Sequence, residues 1–355
     1  MTGTVQAPTR SEIERAVSFG VRAPSIHNTQ PWRWVYTAGA LELYADRSRQ
    51  LPALDPDGRS VLVSCGAALE LARLGFAAAG WRTEVDRLPD QTPADPSPAT
   101  PTPTGSDPVA AGADPADLVA RIRPVERVAP DRGTLERAEA AERRRTDRRP
   151  FRPETVPDEA VRALLAAGTG DGVYAYAVRP GDEELDLAVV FSWADGVESA
   201  DPAYRAELAH WTRHSSAPDG VPATAVPHVE AGSPRHTEVP VRDFEAGITG
   251  GQALSQPVDE RPLYVVVFSA DDDRDARLRA GEAYARLSVE AERLGLASSA
   301  MTQAVDLSGV RERFRMLMNW PDHPQMVLRI GYRRDDVALL PTGRRPLSAV
   351  LTFAD

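Results

Sequence analysis

The segment from Ala23 to Trp34, APSIHNTQPWRW, concentrates short polar side chains between two prolines. Pro24 disfavours a helix at the residue before it, and Pro31 imposes an extended backbone at the start of the next element. Between the prolines lie the hydrogen-bonding residues Ser25, His27, Asn28, Thr29 and Gln30. Such a loop suits the edge of a flat heterocycle with alternating donors and acceptors, for example a flavin ring. Alternatively, these residue types make ordinary turn and capping bonds between a helix and a strand.

A second candidate binding segment is the basic run RRRTDRR, residues 143–149. Its guanidinium groups, with the hydroxyl of Thr146, could hold a phosphate by charge-assisted hydrogen bonds. Alternatively, arginines at the end of a helix are favourable against the helix dipole without any ligand. The residues of this run by themselves favour neither interpretation.

The elements beside these two segments must position them. Apolar residues at helical spacing predict a helix over Ser11–Arg22, which Pro24 ends. Alternation of Trp32, Trp34 and Tyr36 predicts a strand, which pairs with Ala40–Ala45 as a hairpin. A charged helix over Leu135–Arg145 leads into the basic run, and a further helix is predicted over Val156–Ala167.

The order of the predicted elements occurs twice along the chain. Gly66 and Gly80 bound a helix-like segment, and Gly281 and Gly295 bound another of the same length. The following strand, over 118–122 in the first occurrence, has a counterpart over 326–330. We therefore predict a duplicated fold.

Several segments resemble the nitroreductase family. Pro24, Ser25, Asn28, Gln30, Pro31 and Trp32 match the family's Pro-Ser-x-x-Asn-x-Gln-Pro-Trp loop position for position. RRTDRRPF, residues 144–151, resembles the family's Arg-Arg-Ser-x-Arg element, and LPTGRRPL, residues 340–347, resembles its closing phosphate-binding arm. Together with DGVP at 219–222, these segments are similar to the actinobacterial Acg branch. The resemblance covers most of the chain apart from 89–115.

This resemblance implies an α+β, nitroreductase-like fold with mixed sheets flanked by helices. Family members are homodimers that bind FMN at the interface, one subunit giving the arginine element and the other the Pro-Ser-x-x-Asn loop. Here both elements lie in one chain, so we expect a monomer acting as an intrachain pseudo-dimer. Its first half covers residues 1–130 with a Pro-rich excursion at 89–115, and its second half covers residues 131–355 with a lid-like insertion at about 191–261.

The resemblance also assigns cofactor-binding residues. The implied neighbours of the flavin ring are Pro24, Ser25, Ile26 and Asn28. The residues implied to hold the phosphate and ribityl chain are Arg144, Arg145, Thr146 and Arg148, with Arg344 and Arg345 from the arm. Met301 and Thr302 are implied beside flavin N5, although Thr302 and Gln303 replace the acidic residue and glycine that are usual there.

One FMN per chain is expected, because the complementary site lacks both elements. Arg10 is the one arginine before the first predicted helix, so the arginine element is missing there. GTGDGVYAY, residues 168–176, contains no Pro-Ser-x-x-Asn loop. A glycine-rich dinucleotide fingerprint is also missing, since the glycines from Gly168 follow a helix rather than a strand.

The implied activity is FMN-dependent oxidoreduction with ping-pong hydride transfer from NAD(P)H to a small acceptor. The acceptor could be a nitro compound, a quinone, an enone or a biosynthetic intermediate, and no protein nucleophile is needed. The alternative function is binding or sequestration of FMN under the insertion with little turnover. A third alternative, an adaptor protein that uses the Pro-rich tract, lacks basic or aromatic anchors in that tract.

Composition limits the classes of partner and the location that the protein can have. A net charge of -11 and a pI near 5.2 argue against a nucleic-acid or anionic-membrane partner. No apolar run of about 20 residues and no signal pattern are apparent, so we expect a soluble, cytoplasmic protein with a small-molecule substrate.

The content of reactive residues excludes several chemistries. The chain has no lysine, which removes Schiff-base chemistry and the P-loop lysine. Cys65 is the single cysteine and is expected to be a buried packing thiol. His210 and His214 have the spacing of ligands on one helix face, but no third ligand is evident, and no metal site is expected.

Overall fold

The structure is a computed structural model. It describes residues 7–89, 114–213, 217–222, 225, 227–229, 239, 240, 242, 252–254, 260–334 and 339–354.

The helices and strands of the described residues largely follow the predicted order. The helices are α1 Arg10–Val21, α2 Arg59–Ala78, α3 Arg132–Arg143, α4 Asp158–Gly168, α5 Asp182–Ala200, α6 Pro202–Trp211, α7 Arg274–Arg293, α8 Gln303–Asp306 and α9 Ser308–Leu317. The strands are β1 Trp32–Thr37, β2 Ala40–Ala45, β3 Trp81–Arg87, β4 Leu118–Arg127, β5 Val173–Ala177, β6 Thr212–Arg213, β7 Val221–Pro222, β8 Pro227–Val229, β9 Gln252–Leu254, β10 Leu263–Ser269, β11 Ala297–Ala300, β12 His323–Gly331 and β13 Leu351–Phe353.

Two main sheets are flanked by these helices, which confirms the predicted α+β fold. The first has the strand order β13-β1-β2-β4-β3, and the second has the order β11-β12-β10-β5. The predicted hairpin is the antiparallel pair β1–β2, in register from Trp32 opposite Ala45 to Thr37 opposite Ala40. β13 pairs parallel to β1, so the first sheet is mixed. The C-terminal strand thus completes the sheet of the first half, and the arm before it lies against that half.

α2 and α7, each preceding a strand pair, pack against each other at the centre of one continuous apolar core. A Cβ atom built on Gly66 would lie 1.9 Å from the carbonyl oxygen of Leu278, and one on Gly281 would lie 2.0 Å from that of Val63. Only glycine allows backbones to approach this closely. The glycines of the repeat therefore mark the contact between the two central helices.

α2 begins at Arg59, seven residues before the predicted boundary at Gly66. Gly58 has a left-handed backbone with φ 65°, and the Asp55 carboxylate accepts from the backbone N–H groups of Ser60 at 2.8 Å and Val61 at 3.0 Å. These bonds satisfy donors that a helix N-terminus leaves unpaired, so the apolar run before Gly66 joins the helix.

α2 also departs from the expectation that no segment is long and apolar enough to cross a membrane. Its mean hydropathy reaches 1.6 over 18 residues, but 72% of that stretch is buried inside the structure. A central core helix meets the same criteria of length and composition. The length of this apolar segment was underestimated because its apolar residues extend on both sides of the expected N-terminus.

The expected insertion at 191–261 begins with regular structure. Phe191 lies within α5, and α6 begins after the single residue Asp201, so residues 191–200 and 202–211 are helical rather than irregular. Residues 90–113 of the Pro-rich tract lie outside the described residues, as does His214. The division into halves at residue 130 remains a prediction.

Candidate functional site

A cleft is lined by residues from both the N-terminal and the C-terminal parts of the chain. Its cavity volume is about 100 Å³. The predicted residues that line it are Pro24, Ser25, Ile26, Asn28, Thr146, Arg148, Met301, Thr302 and Arg344. Arg344 also lines an adjacent outer cleft, together with Arg144, Arg145 and Arg345. The fold therefore brings the polar loop, the basic run and the C-terminal arm into one region.

The polar loop is held in a backbone conformation that is unusual for its residues. His27, Asn28 and Gln30 have positive φ angles of 42°, 54° and 51°. Non-glycine residues adopt this left-handed region rarely and at a cost, so surrounding contacts must maintain it. Ser25 Oγ accepts from the backbone N–H of Gln30 at 3.0 Å, and Ser64 Oγ of α2 accepts from that of Ile26 at 3.2 Å.

Asn28 connects this loop to two distant segments. Its Nδ2 donates to the carbonyl oxygens of Gly220 at 3.0 Å and Gly343 at 3.1 Å, and its Oδ1 accepts from Arg344 Nη1 at 3.1 Å. Gln30 acts similarly, donating to the Pro218 carbonyl oxygen at 2.7 Å. The two amide groups therefore fasten residues 218–220, within the expected insertion, and the C-terminal arm to the loop.

Three arginines form a positively charged cluster at the outer end of the cleft. Arg144 is 3% exposed, and its Nη2 donates to the Arg22 carbonyl oxygen at 3.2 Å. Arg344 donates to the same oxygen at 3.4 Å, and Arg145 donates to the carbonyl oxygens of Glu142 and Arg144. Within the described chain, no carboxylate lies within 4 Å of the guanidinium nitrogens of these three side chains.

The electrostatics of this cluster favour an anion. Burial, together with the charges of the neighbouring Arg144 and Arg145, lowers the pKa of Arg344 to about 9. Burial likewise lowers the pKa of Arg144. The Nε groups of Arg144 and Arg344 are buried without a hydrogen-bond partner among the described residues. Buried positive charges with unused donors are stabilised by a negatively charged ligand.

Arg345 has a different environment from Arg344. Its Nη1 donates to the carbonyl oxygens of Gln30 at 3.3 Å and Trp32 at 3.4 Å, and its Nη2 donates to that of Ala349 at 3.1 Å. The Asp46 carboxylate lies 3.5 Å away. This guanidinium therefore fastens the C-terminal arm to the first sheet, beside the cleft rather than in it.

A buried ionic network in the cleft involves residues that the sequence did not identify. Arg242 lies 2.7 Å from His27 Nε2, 3.0 Å from Glu198 Oε1 and 2.8 Å from Asp306 Oδ2. Asp306 also accepts from the hydroxyl of Thr302 at 2.7 Å. A carboxylate is thus present one helical turn after Thr302, although the acidic residue that is usual in the family is replaced. The spacing of Thr302 and Asp306 at a helix start was the signal available in the sequence.

The network fixes the state of His27. A guanidinium only donates hydrogen bonds, so His27 Nε2 accepts and the ring proton is on Nδ1. Burial lowers the pKa of His27 well below 6.5, and the charges of Arg242 and Arg148 act in the same direction. The imidazole is therefore neutral at physiological pH.

Ionic side chains occupy the counterpart of the cleft. The spacing from Gly66 to Gly281 equals that from Gly80 to Gly295, so Arg87 corresponds to Thr302. Arg87 donates to both carboxylate oxygens of Glu282, at 2.6 and 2.8 Å, and lies 3.5 Å from Asp171 in the turn after α4. These groups pair with one another at the position that corresponds to Thr302 in the cleft.

Comparison with known proteins gives the family. The family model described as "Nitroreductase family" matches residues 141–332. A Mycobacterium tuberculosis protein named as an NAD(P)H nitroreductase is 32% identical over 98% of this chain and 93% of its own length. The chain belongs to the nitroreductase family. The M. tuberculosis protein acg is 31% identical over 96% of both chains, and this chain belongs to the same Acg-like branch.

Solved structures resemble this chain at a lower level of identity. A nitroreductase from Bacteroides fragilis with bound FMN is 16% identical and covers 58% of this chain and 93% of its own, with a TM-score of 0.37. One from Desulfitobacterium hafniense with bound FMN is 12% identical and covers 62% and 98%, with a TM-score of 0.38.

Cys65 and possible metal ligands are the remaining candidates for chemistry. Cys65 is buried, its Sγ lies 3.3 Å from the Pro31 carbonyl oxygen, and burial raises its thiol pKa, so it packs the core beneath the loop. Within the described ranges, no three His, Cys, Asp or Glu side chains are grouped as metal ligands.

Proposed function

We propose that this chain is an FMN-dependent oxidoreductase that binds one FMN in the cleft between its halves. The observation that supports the proposal is the cluster of the buried Arg144 and the partly buried Arg145 and Arg344, whose guanidinium groups have no carboxylate within 4 Å in the described chain. A phosphate monoester would supply the missing negative charge and accept hydrogen bonds from the unused Nε groups.

The residues of the cleft fit the remainder of FMN. Thr146 and Arg148 follow the cluster along the cleft wall, beside the proposed ribityl chain and ring. Pro24, Ser25 and Ile26 line the opposing half, with Met301 and Thr302 from the second half. We assign Asn28 and Arg345 to fixing the loop and the arm, since their side-chain polar groups bond to the protein.

The bound cofactor supplies the redox chemistry. FMN bound there would supply hydride transfer at N5, in a ping-pong order, between NAD(P)H and a small organic acceptor. The acceptor classes we consider are nitro compounds, quinones, enones and biosynthetic intermediates. The chain's own contribution is to bind and orient the cofactor, to exclude water with buried side chains such as Met301, and to hold positive charge at Arg148.

We also propose that one chain acts as a pseudo-dimer with a single FMN. The halves over 1–130 and 131–355 each contribute one wall of the cleft, as two subunits would. The counterpart position holds the paired side chains of Arg87, Asp171 and Glu282, which supports one site rather than two.

The decisive experiment is the visible spectrum of the purified protein before and after anaerobic addition of NADPH. We expect a flavin spectrum that bleaches on addition of NADPH and returns when an acceptor such as a quinone is added. NADH in a parallel sample identifies the preferred donor. A preparation that stays colourless when incubated with excess FMN would refute the proposal.

The alternative function is sequestration of FMN with little turnover, and contacts of the insertion favour it. Glu207 of α6 accepts from the backbone N–H groups of Ala53 at 3.1 Å and Leu54 at 3.0 Å, and Asp219 pairs with Arg49. With the bonds from Asn28 and Gln30, these contacts fasten the insertion to the first half beside the cleft. A bound flavin that NADPH bleaches without a lag would exclude this alternative.

A further inference from the structure

The outer cleft beside the proposed FMN site is lined by five arginines. Its cavity volume is about 290 Å³, and it adjoins the flavin cleft, since Thr342 and Arg344 line both. Arg344 belongs to the cluster that we assign to the FMN phosphate, as do two further arginines of the lining. Arg22 and Arg345 complete the set, and no carboxylate is among the described lining residues.

Arg22, at the end of α1, adds a charge that the assignment of the FMN phosphate does not use. Its backbone carbonyl oxygen accepts from Arg144 and Arg344. Its guanidinium makes no hydrogen bond or ion pair with any described residue. Burial is the largest cause that lowers the pKa of Arg145 and Arg344, and the nearby charge of Arg22 acts in the same direction. Arg22 therefore lies beside the cluster with its donors available to a ligand.

Two carboxylates act near these arginines, and both have other partners. Asp46 lies 3.5 Å from Arg345, which fastens the C-terminal arm. Glu292 influences the cluster from beyond 4 Å, and it pairs with Arg143 at 3.7 Å and with Arg333. A phosphate monoester carries a charge of about -1.5 to -2 at pH 7. The FMN phosphate would therefore leave about two of the four remaining positive charges without an anion.

We propose that the outer cleft binds a second phosphate group beside that of FMN, that this group is the 2′-phosphate of NADPH, and that Arg22 recognises it. This inference rests on the proposed function and adds the identity of the electron donor. NADPH differs from NADH only in this phosphate, so a guanidinium that the FMN phosphate leaves unpaired discriminates between the two donors. Val21 and Leu347 give the same cleft an apolar wall for the adenosine that carries the phosphate.

The test is calorimetric titration of the FMN-loaded protein with 2′,5′-ADP and with 5′-AMP, which lacks the 2′-phosphate. Neither compound transfers a hydride, so binding is measured without turnover. We expect 2′,5′-ADP to bind about tenfold to hundredfold more tightly, the scale of one added charge-assisted contact. Equal Kd values for the two nucleotides would overturn the proposal.

Two further titrations identify the molecule that carries the second phosphate. Inorganic phosphate should displace 2′,5′-ADP only weakly, and displacement at equal concentration would overturn the assignment to a nucleotide. The apoprotein should bind FMN at least as tightly as FAD. Tighter binding of FAD would mean that the second phosphate belongs to the flavin, and it would overturn the assignment to the donor.

Two variants and a matched control test the role of Arg22. Arg22→Gln keeps the backbone carbonyl that holds the cluster, but it should remove most of the preference for 2′,5′-ADP. In rapid-mixing reduction of the flavin, it should raise the Kd of NADPH about tenfold and leave the limiting rate and the Kd of NADH unchanged. Ser18→Glu places a carboxylate one helical turn before Arg22 in the same cleft, so it should compete with the phosphate and weaken the preference. Arg15→Gln removes an exposed arginine of α1 outside the lining and should retain the preference.

The two proposals fail differently. Equal Kd values for 2′,5′-ADP and 5′-AMP in a yellow, NADPH-reducible protein would overturn the donor inference and leave the FMN proposal intact. A protein that binds no flavin would overturn the proposed function, and with it the inference. An unchanged preference in Arg22→Gln would overturn the role of Arg22, and if that variant does not fold, an unchanged preference in Ser18→Glu would do so.

Discussion

Arg344 Nη1 lies 3.1 Å from Asn28 Oδ1, although the two residues are 316 positions apart in the chain. The first belongs to the C-terminal arm and the second to the polar loop after α1. Their contact joins the loop, which lies at one wall of the cleft, to the positive cluster at its outer end. Substitution of either residue should therefore weaken FMN binding more than it lowers the free energy of unfolding.

Arg344→Gln tests the phosphate position. Loss of one charge-assisted hydrogen bond should cost about 1.5–3 kcal/mol of FMN binding, which is roughly a tenfold to hundredfold higher Kd. Quenching of FMN fluorescence on titration with apoprotein measures this Kd. Arg143→Gln is the matched control, since Arg143 is exposed and lies one residue before the cluster. Equal Kd values for the two variants would contradict the assignment.

Gly66→Ala tests the close contact of the central helices. Its Cβ would lie 1.9 Å from the Leu278 carbonyl oxygen, so the helices must separate, at a cost of about 1–3 kcal/mol or more in the free energy of unfolding. Gly196→Ala in α5 is the control, since a Cβ there meets nothing within 4 Å. That change should stabilise the protein by about 0.5–1 kcal/mol. Urea denaturation of both variants gives the comparison, and a Gly66→Ala protein as stable as the parent would refute the contact.

The protonation of His27 should depend on the network around it. Because its pKa in the folded protein is below the unfolded value, the folded state binds fewer protons, and the free energy of unfolding falls as pH decreases below about 6.5. Nitrogen NMR of ring-labelled histidine should show a neutral, Nδ1-protonated ring for His27 at pH 6.5. His27→Asn identifies the signal. A His27 ring that becomes cationic near pH 6.5 would contradict the accepting role of Nε2.

Arg87→Met tests the counterpart of the cleft. Glu282 is 1% exposed and would keep only its contact with Arg73 at 3.2 Å, so we expect a loss of about 2–4 kcal/mol in stability. The FMN content, measured by absorbance after denaturation, should stay at one per chain. Arg82→Met is the control, because Arg82 and its partner Glu126 are both about half exposed. A second flavin bound by either protein would contradict the single-site proposal.

Local sequence signals were sufficient for much of the fold. Alternation of Trp32, Trp34 and Tyr36 predicted β1, and the proline after α1 predicted the end of that helix. The start of α2 was missed because it depends on Asp55, a side chain outside the helix that caps it through a folded loop. A capping contact across a loop produces no periodic pattern in the sequence.

The sequence by itself determined the family, the duplicated order of elements and the identity of the polar loop, the basic run and the arm. These follow from residue types at fixed local spacing, which a linear chain displays directly. Only the tertiary structure decided that Asn28 and Gln30 fasten the insertion and the arm, and that Arg242 meets His27, Glu198 and Asp306. Such contacts join positions up to 316 residues apart, so they depend on the folded arrangement of the whole chain rather than on local spacing.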